Sequence, residues 1–226
     1  MPLRPATMLA VLIPVATCLA ADSVDDVLAG LDRTAPTFHA FSADLTSVTY
    51  TAVIQESVTE KGSMRLKRNK REMTMLVEFS PPNRKSVAVH GQKLEIYYPE
   101  QQTIEEYDIA RYRAAFDQFM LVGFGTSGKE LAQAYDVKLV GAETVAGVEA
   151  CHLELVPKSA EALKNLKKLE LWIAASQPYA VQQKIYLAGG DYRLFTYTNV
   201  KLNPPLSESD LKLRVPGNTK RTSPQS

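Results

Sequence analysis

Histidine, cysteine and tryptophan are scarce in this chain, with three, two and one among 226 residues. His39, His90 and His152 lie far apart, and none has a second His or Cys at ligand spacing. That excludes the local zinc signatures, which need paired ligands a few residues apart, and no metal or other cofactor is expected. Cys151 adjoins His152, but neighbouring residues of a strand point to opposite faces. A Cys–His dyad is therefore disfavoured, and an ordinary buried thiol is the expectation. Charge of one sign is lacking too: 26 Lys and Arg stand against 25 Asp and Glu, a net of +1. Nucleic acid is not an expected partner, because such affinity rests largely on neutralising phosphates. The carboxylates Asp25/Asp26, Glu105/Glu106 and Asp108 fall at a helix start or on faces expected to be solvated, with no opposed pair among them. No catalytic constellation is present, so an enzyme is not expected.

Long apolar runs are also missing, except Met8–Thr17. Ten residues are too few for a stable span, which needs about 20. Arg4 precedes the run, and Cys18-Leu19-Ala20 supplies small residues before Ala21-Asp22. Residues 1–21 therefore read as a signal peptide, and the remaining chain as an exported, soluble protein. Val15-Ala16-Thr17-Cys18 resembles a lipobox, with Thr17 where a smaller residue belongs, so lipidation of Cys18 stays an alternative. Cleavage removes Arg4 and Cys18, leaving 25 basic and 25 acidic residues and Cys151 alone, hence no intramolecular disulfide. The expected organisation is residues 1–21 as leader, 22–216 as a single domain and 217–226 as a polar tail.

What the chain has in quantity is alternation. Ser23 and Asp26 open like a capping box, and Val24, Val27, Leu28 and Leu31 form one helical stripe that Pro36 ends. Strand-like runs follow, starting at Phe41-Ala43-Leu45 and Gly62–Lys67. Met73, Met75, Val77 and Phe79 share one face of the next. Val87 and Val89 stand beside Leu94, Ile96 and Tyr98 in a hairpin around Gly91-Gln92. Residues 109–121 return to helical spacing, with Phe116 and Phe119 on it. Gly123-Phe124-Gly125 interrupts, and Ser127 caps a further short helix. Gly123 to Gly128 fits G-x-G-x-x-G, but no βαβ unit surrounds it, so it reads as a link between helices. Strands resume at 135–140 and 148–156, where Cys151, Leu153 and Leu155 share a face, and continue to a last strand at 211–215. So many consecutive strands curl by their own twist into a barrel or half-barrel, and larger curled sheets enclose cavities.

The candidate lining of such a cavity is Leu45, Met73, Met75, Val77, Val87, Val89, Leu94, Ile96, Phe116, Phe119 and Leu153. Periodicity serves a packed core equally well. The basic cluster Lys67-Arg68-Asn69-Lys70-Arg71 reads either as a solvated connection or as the anchor of a head group at a cavity mouth.

The order and spacing of several segments resemble the LolA family of periplasmic lipoprotein carriers. Phe38-His39-Ala40-Phe41, Gly62 to Arg68, Gly91 to Pro99, the stretch 119–135, Leu169 to Ile173 and Leu211 to Gly217 carry the resemblance, which covers about residues 24–219. It implies a mainly β, half-open antiparallel barrel of about eleven strands, its open face covered by helices. It implies a monomeric periplasmic chaperone that moves the acyl chains of lipoproteins from an inner-membrane release complex to an outer-membrane acceptor. Arg68 matches a family arginine that bonds to the lid, a gate. Asn69 departs from the family's proline, and Met73 and Met75 replace an apolar or aromatic pair. A carrier of another lipid or glycolipid, and an RseB-like lipid-sensing regulator, are the alternatives.

Overall fold

The computed structural model describes residues 23–69, 72–112 and 122–224. The leader, Cys18, Phe116 and Phe119 lie outside them.

Ser23 starts helix α1 (Val24–Thr34) by accepting from the Asp26 amide at 3.2 Å. Asp25 and Asp26 in its first turn and Arg33 in its last complement the helix dipole. Val27 and Leu31 are buried, and the chain leaves through a tight turn at Ala35–Thr37. Six strands follow: β1 (Ala40–Thr51), β2 (Glu56–Asn69), β3 (Glu72–Phe79), β4 (Lys85–His90), β5 (Lys93–Tyr98) and β6 (Thr103–Asp108). Helix α2 (Gly128–Ala134) opens on a complete capping box, Ser127 with Glu130. After it come β7 (Tyr135–Val145), β8 (Val148–Pro157), the single turn α3 (Ala160–Leu163), β9 (Leu166–Ala174), β10 (Ala180–Leu187), β11 (Tyr192–Leu202) and β12 (Lys220–Thr222).

The twelve strands of the described residues form one sheet in the order β12-β6-β5-β4-β3-β2-β1-β11-β10-β9-β8-β7. Every pair is antiparallel except β12 with β6. The two ends of the sheet do not meet, so β7 and β12 remain as edges. This is the half-open, mainly antiparallel barrel that the resemblance implied, and one of the two forms that the alternation left open. β1 joins the two halves by pairing with both β2 and β11, with Leu45 between Gly62 and Tyr197.

Alternation decides the faces. On the β8–β9 half, the pairs Cys151/Ile173, Leu153/Leu171 and Leu155/Leu169 point inward. They join Val27 and Leu31 of α1 and Leu131 of α2 in one buried core. His152 and Trp172 face outward and stack at 4.2 Å, so Cys151 and His152 do stand on opposite faces.

One expected element differs. Residues 211–215 are not a strand. A tight turn at Glu208–Leu211 leads into an extended strap, and Leu211, with Leu206 and Leu213 beside it, packs on Leu76 and Ala88. Those two residues alternate with Met75 and Val89, so the strap covers the outer face of the sheet. Alternating leucines are satisfied as well by lying across a sheet face as by pairing at its edge. The edge is taken instead by the polar residues Lys220–Thr222, which need only their backbone groups to pair with β6.

Candidate functional site

A half-open cavity of about 500 Å³ lies on the inner face, walled by β1 to β5 and β11. Its apolar wall is Leu45, Met64, Met75, Val77, Val87 and Leu94, continued by Phe79, Ile96, Phe195 and Tyr197. Ser47, Thr49, Glu60, Lys85, Tyr98 and Arg193 supply the polar atoms. The volume falls within the range of small-ligand sites, roughly 300–1,000 Å³.

The register builds this wall. Met64 stands opposite Val77, Val77 opposite Val87 and Val87 opposite Ile96, so four neighbouring strands send side chains to the same side at one level. Six of the expected residues are brought together here: Leu45, Met75, Val77, Val87, Leu94 and Ile96. Met73, Val89 and Leu153 are not on the cavity wall but in the packed core beside it. They share the inner face. Met73 sits opposite Arg68, at the end where the chain after residue 121 closes over the sheet, and Leu153 belongs to the half that α1 and α2 cover. Met64, Phe79, Tyr98, Phe195 and Tyr197 complete the wall beyond the expected lining.

At the Arg68 end of the inner face, residues 122–125 pack against the sheet beside the cavity. Gly123 and Gly125 have φ of +84° and +73°, the left-handed region that favours glycine. A Cβ on Gly123 would come within 2.7 Å of Ala180 Cβ. This is the use of the two glycines: they seat a sharp link against the sheet. The Ala180 amide donates to the Gly123 carbonyl at 3.2 Å, and the buried Gln183 side chain donates to the Val122 carbonyl. Phe124 is fully buried, edge-to-face with Phe41 at 4.6 Å and with Tyr197 at 5.1 Å. Arg68 supplies the last ties: its guanidinium donates to the Gly125 carbonyl at 2.7 Å and to the Ala35 carbonyl at 3.4 Å, and lies over the Phe38 ring. One side chain thus joins β2, the end of α1 and the 122–125 link.

Tyr197 connects this link to the cavity wall. Its hydroxyl donates to Gln183 Oε1 at 2.7 Å, and burial pushes the phenol well above its ordinary value. The unfolded chain releases this proton near pH 10, while the folded chain retains it. The contribution is therefore intact below about pH 10 and declines as pH rises above it. We expect an alkaline stability slope, followed by denaturant midpoints between pH 9 and 11. Tyr197→Phe should flatten that slope, at a constant loss of about 1 kcal/mol for the missing hydrogen bond.

Among the described residues, no group of three or more His, Cys, Asp or Glu is placed to hold a metal ion. His152 is instead on the outer face, with Nδ1 3.0 Å from Glu143. No helix of the described residues is long and apolar enough to cross a membrane.

No family model and no curated protein matches the chain. Solved structures do. Crystalline MucB superposes with a TM-score of 0.53 at 17% identity, over 91% of this chain and 66% of that one. An uncharacterised conserved protein from Thermus thermophilus gives 0.53 at 13% identity, over 88% of this chain and 98% of that one. A LolA superfamily protein from Nitrosomonas europaea superposes more loosely, at 0.40 and 14% identity, over 85% of this chain and 99% of that one. The chain has the fold of MucB and of the Thermus thermophilus protein.

Proposed function

We propose that the protein is a periplasmic carrier that holds acyl chains non-covalently in this cavity and passes them between the inner and outer membranes. The observation that carries the reading is the cavity itself: a wall of adaptable Met, Leu, Val and Phe side chains, half open to solvent, with polar atoms confined to part of its lining. Each buried methylene contributes about 0.8 kcal/mol. A half-open site leaves part of the cargo uncovered, which keeps release possible.

Lipoproteins delivered from a release complex to an outer-membrane acceptor are the cargo that the sequence resemblance implies. A free lipid is the second cargo, because a half-open cavity of about 500 Å³ lies within the range of small-ligand sites, roughly 300–1,000 Å³. Incubating the purified protein with spheroplasts making new lipoproteins separates the two. A soluble one-to-one complex with a triacylated lipoprotein supports the first cargo, and free lipid on the protein supports the second. A protein that emerges empty sinks the carrier reading.

Arg68 is proposed as the gate. Its bonds to the Gly125 and Ala35 carbonyls make the closed arrangement more stable than an open one. Arg68→Leu should load an acyl probe within about twofold of the parent, yet transfer it to acceptor vesicles about tenfold more slowly, because the emptied protein no longer gains the closing bonds of a charged donor, about 1.5–3 kcal/mol, that favour release. Unchanged transfer would remove Arg68 from the mechanism.

A further inference from the structure

The cavity is not uniform along its length. Leu45, Met64, Met75 and Val77, all buried, lie towards Phe124. The polar lining collects at the other end, where Thr49 faces Arg193 across the β1–β11 ladder and Ser47 faces both Phe195 and Glu60. An aliphatic body with one polar end is the complement of that surface.

Three charged side chains line this polar end, and two neutralise each other. Lys85 Nζ donates to Glu60 Oε1 at 2.7 Å, and the ammonium also sits 4.9 Å from the centre of the Phe79 ring. Arg193 is the third. It is exposed on the cavity side of β11, and its guanidinium makes no hydrogen bond or ion pair with any described residue. Among the described lining residues, Lys85 and Arg193 therefore stand against Glu60, and the nearby Glu105, opposite Ile96 one strand further on, accepts from the Tyr107 hydroxyl. Arg68 cannot supply a positive charge to a bound head group. It lies eight residues along β2 from Glu60, roughly 26 Å at strand rise, and its donors are engaged by Ala35 and Gly125.

We propose that the cavity selects a single-chain anionic amphiphile, with its acyl tail on the Met64–Met75–Val87 wall and its carboxylate or phosphate on Arg193. The guanidinium presents a fork of donors that matches either anion, and a charge-assisted pair next to an apolar wall is stronger than one in open water. Ser47 and Thr49, on the neighbouring strand, add hydroxyl donors at the same end. The proposal rests on the acyl-carrier reading and goes further in naming the head group.

The test compares an 18-carbon fluorescent fatty acid with its methyl ester, which has the same tail and no charge, on the purified protein at low salt. The acid should bind on the order of tenfold tighter than the ester. Arg193→Gln should abolish that preference by weakening the acid alone, and Arg193→Glu should reverse it. Retained ester binding shows that each variant is folded. Displacement of the ester by oleate and by oleoyl lysophosphatidylglycerol, measured against uncharged monooleoylglycerol, assigns the head group. Stronger displacement by either anion supports the proposal and tells carboxylate from phosphate. Equal affinity for acid and ester in the parent, or an equal loss of both in Arg193→Gln, overturns the proposal while leaving the carrier reading standing. Binding of neither probe overturns both.

Discussion

Phe124→Ala should lower the melting temperature by on the order of 10 °C. The ring is fully buried between Phe41 and Tyr197, so its removal leaves a cavity that two aromatic neighbours cannot fill by rotating. Loss of a buried Phe costs about 3–5 kcal/mol. One kcal/mol moves the midpoint of a protein of this size by about 2–4 °C. The loss is also local. Phe124 lies between Gly123, which accepts from Ala180, and Gly125, which accepts from Arg68. Without the ring, those bonds hold a link that has lost its anchor, so hydrogen exchange of the Ala180 amide should accelerate beyond what the global loss explains. Calorimetry together with that exchange rate checks the expectation, and a midpoint within about 2 °C of the parent contradicts it.

Val87→Trp should abolish acyl binding and leave the fold nearly as stable as before. Val87 is half-buried on the cavity wall, flanked by Val77 and Ile96. The added indole has open space in front of it instead of packed neighbours, so the usual overpacking cost of about 1–3 kcal/mol is mostly avoided. It occupies the volume that a chain needs, and the affinity for an 18-carbon probe should fall by more than tenfold. The same substitution at Leu153, in the closed core, should unfold the protein. The contrast between the two positions separates a binding wall from a structural one. Equal probe affinity in Val87→Trp and the parent would show that cargo binds elsewhere.

The elements most visible in the sequence are those set by local chemistry. Ser23 and Ser127 announce α1 and α2 because a cap involves residues three apart. Met75 and Val77 mark the inner face of β3 because the strand period is two. That period assigns a face but not what covers it. Met73, Val89 and Leu153 alternate as regularly as Met75, yet they do not reach the cavity, because other parts of the chain pack over them. The N-terminal half of β2 was not legible, because Glu56–Lys61 is polar on both sides and exposed for most of its length. Phe195 and Tyr197 reach the cavity only because β1 pairs with a strand about 150 residues later, a relation no local pattern encodes. Lys85, Glu60 and Arg193 carry charge, which marks them for solvent in any reading by hydropathy. The contacts of Arg68 with Gly125 and Ala35 came within reach only through the family resemblance.

An open sheet has two raw borders, and this one treats them differently. β7 ends the sheet with Asp136, Lys138 and Glu143 exposed along it, and a register slip between Leu139 and Gly141 breaks its straight run of free amides and carbonyls. At the far border, the three residues of β12 stand outside β6 and bring Lys220 and Arg221, the latter held by Glu95. Charge, a bulge and a very short outer strand each deny a second molecule a flat template for adding on. A barrel with an open side thereby remains a poor seed for strand-to-strand aggregation, even when crowded among copies of itself.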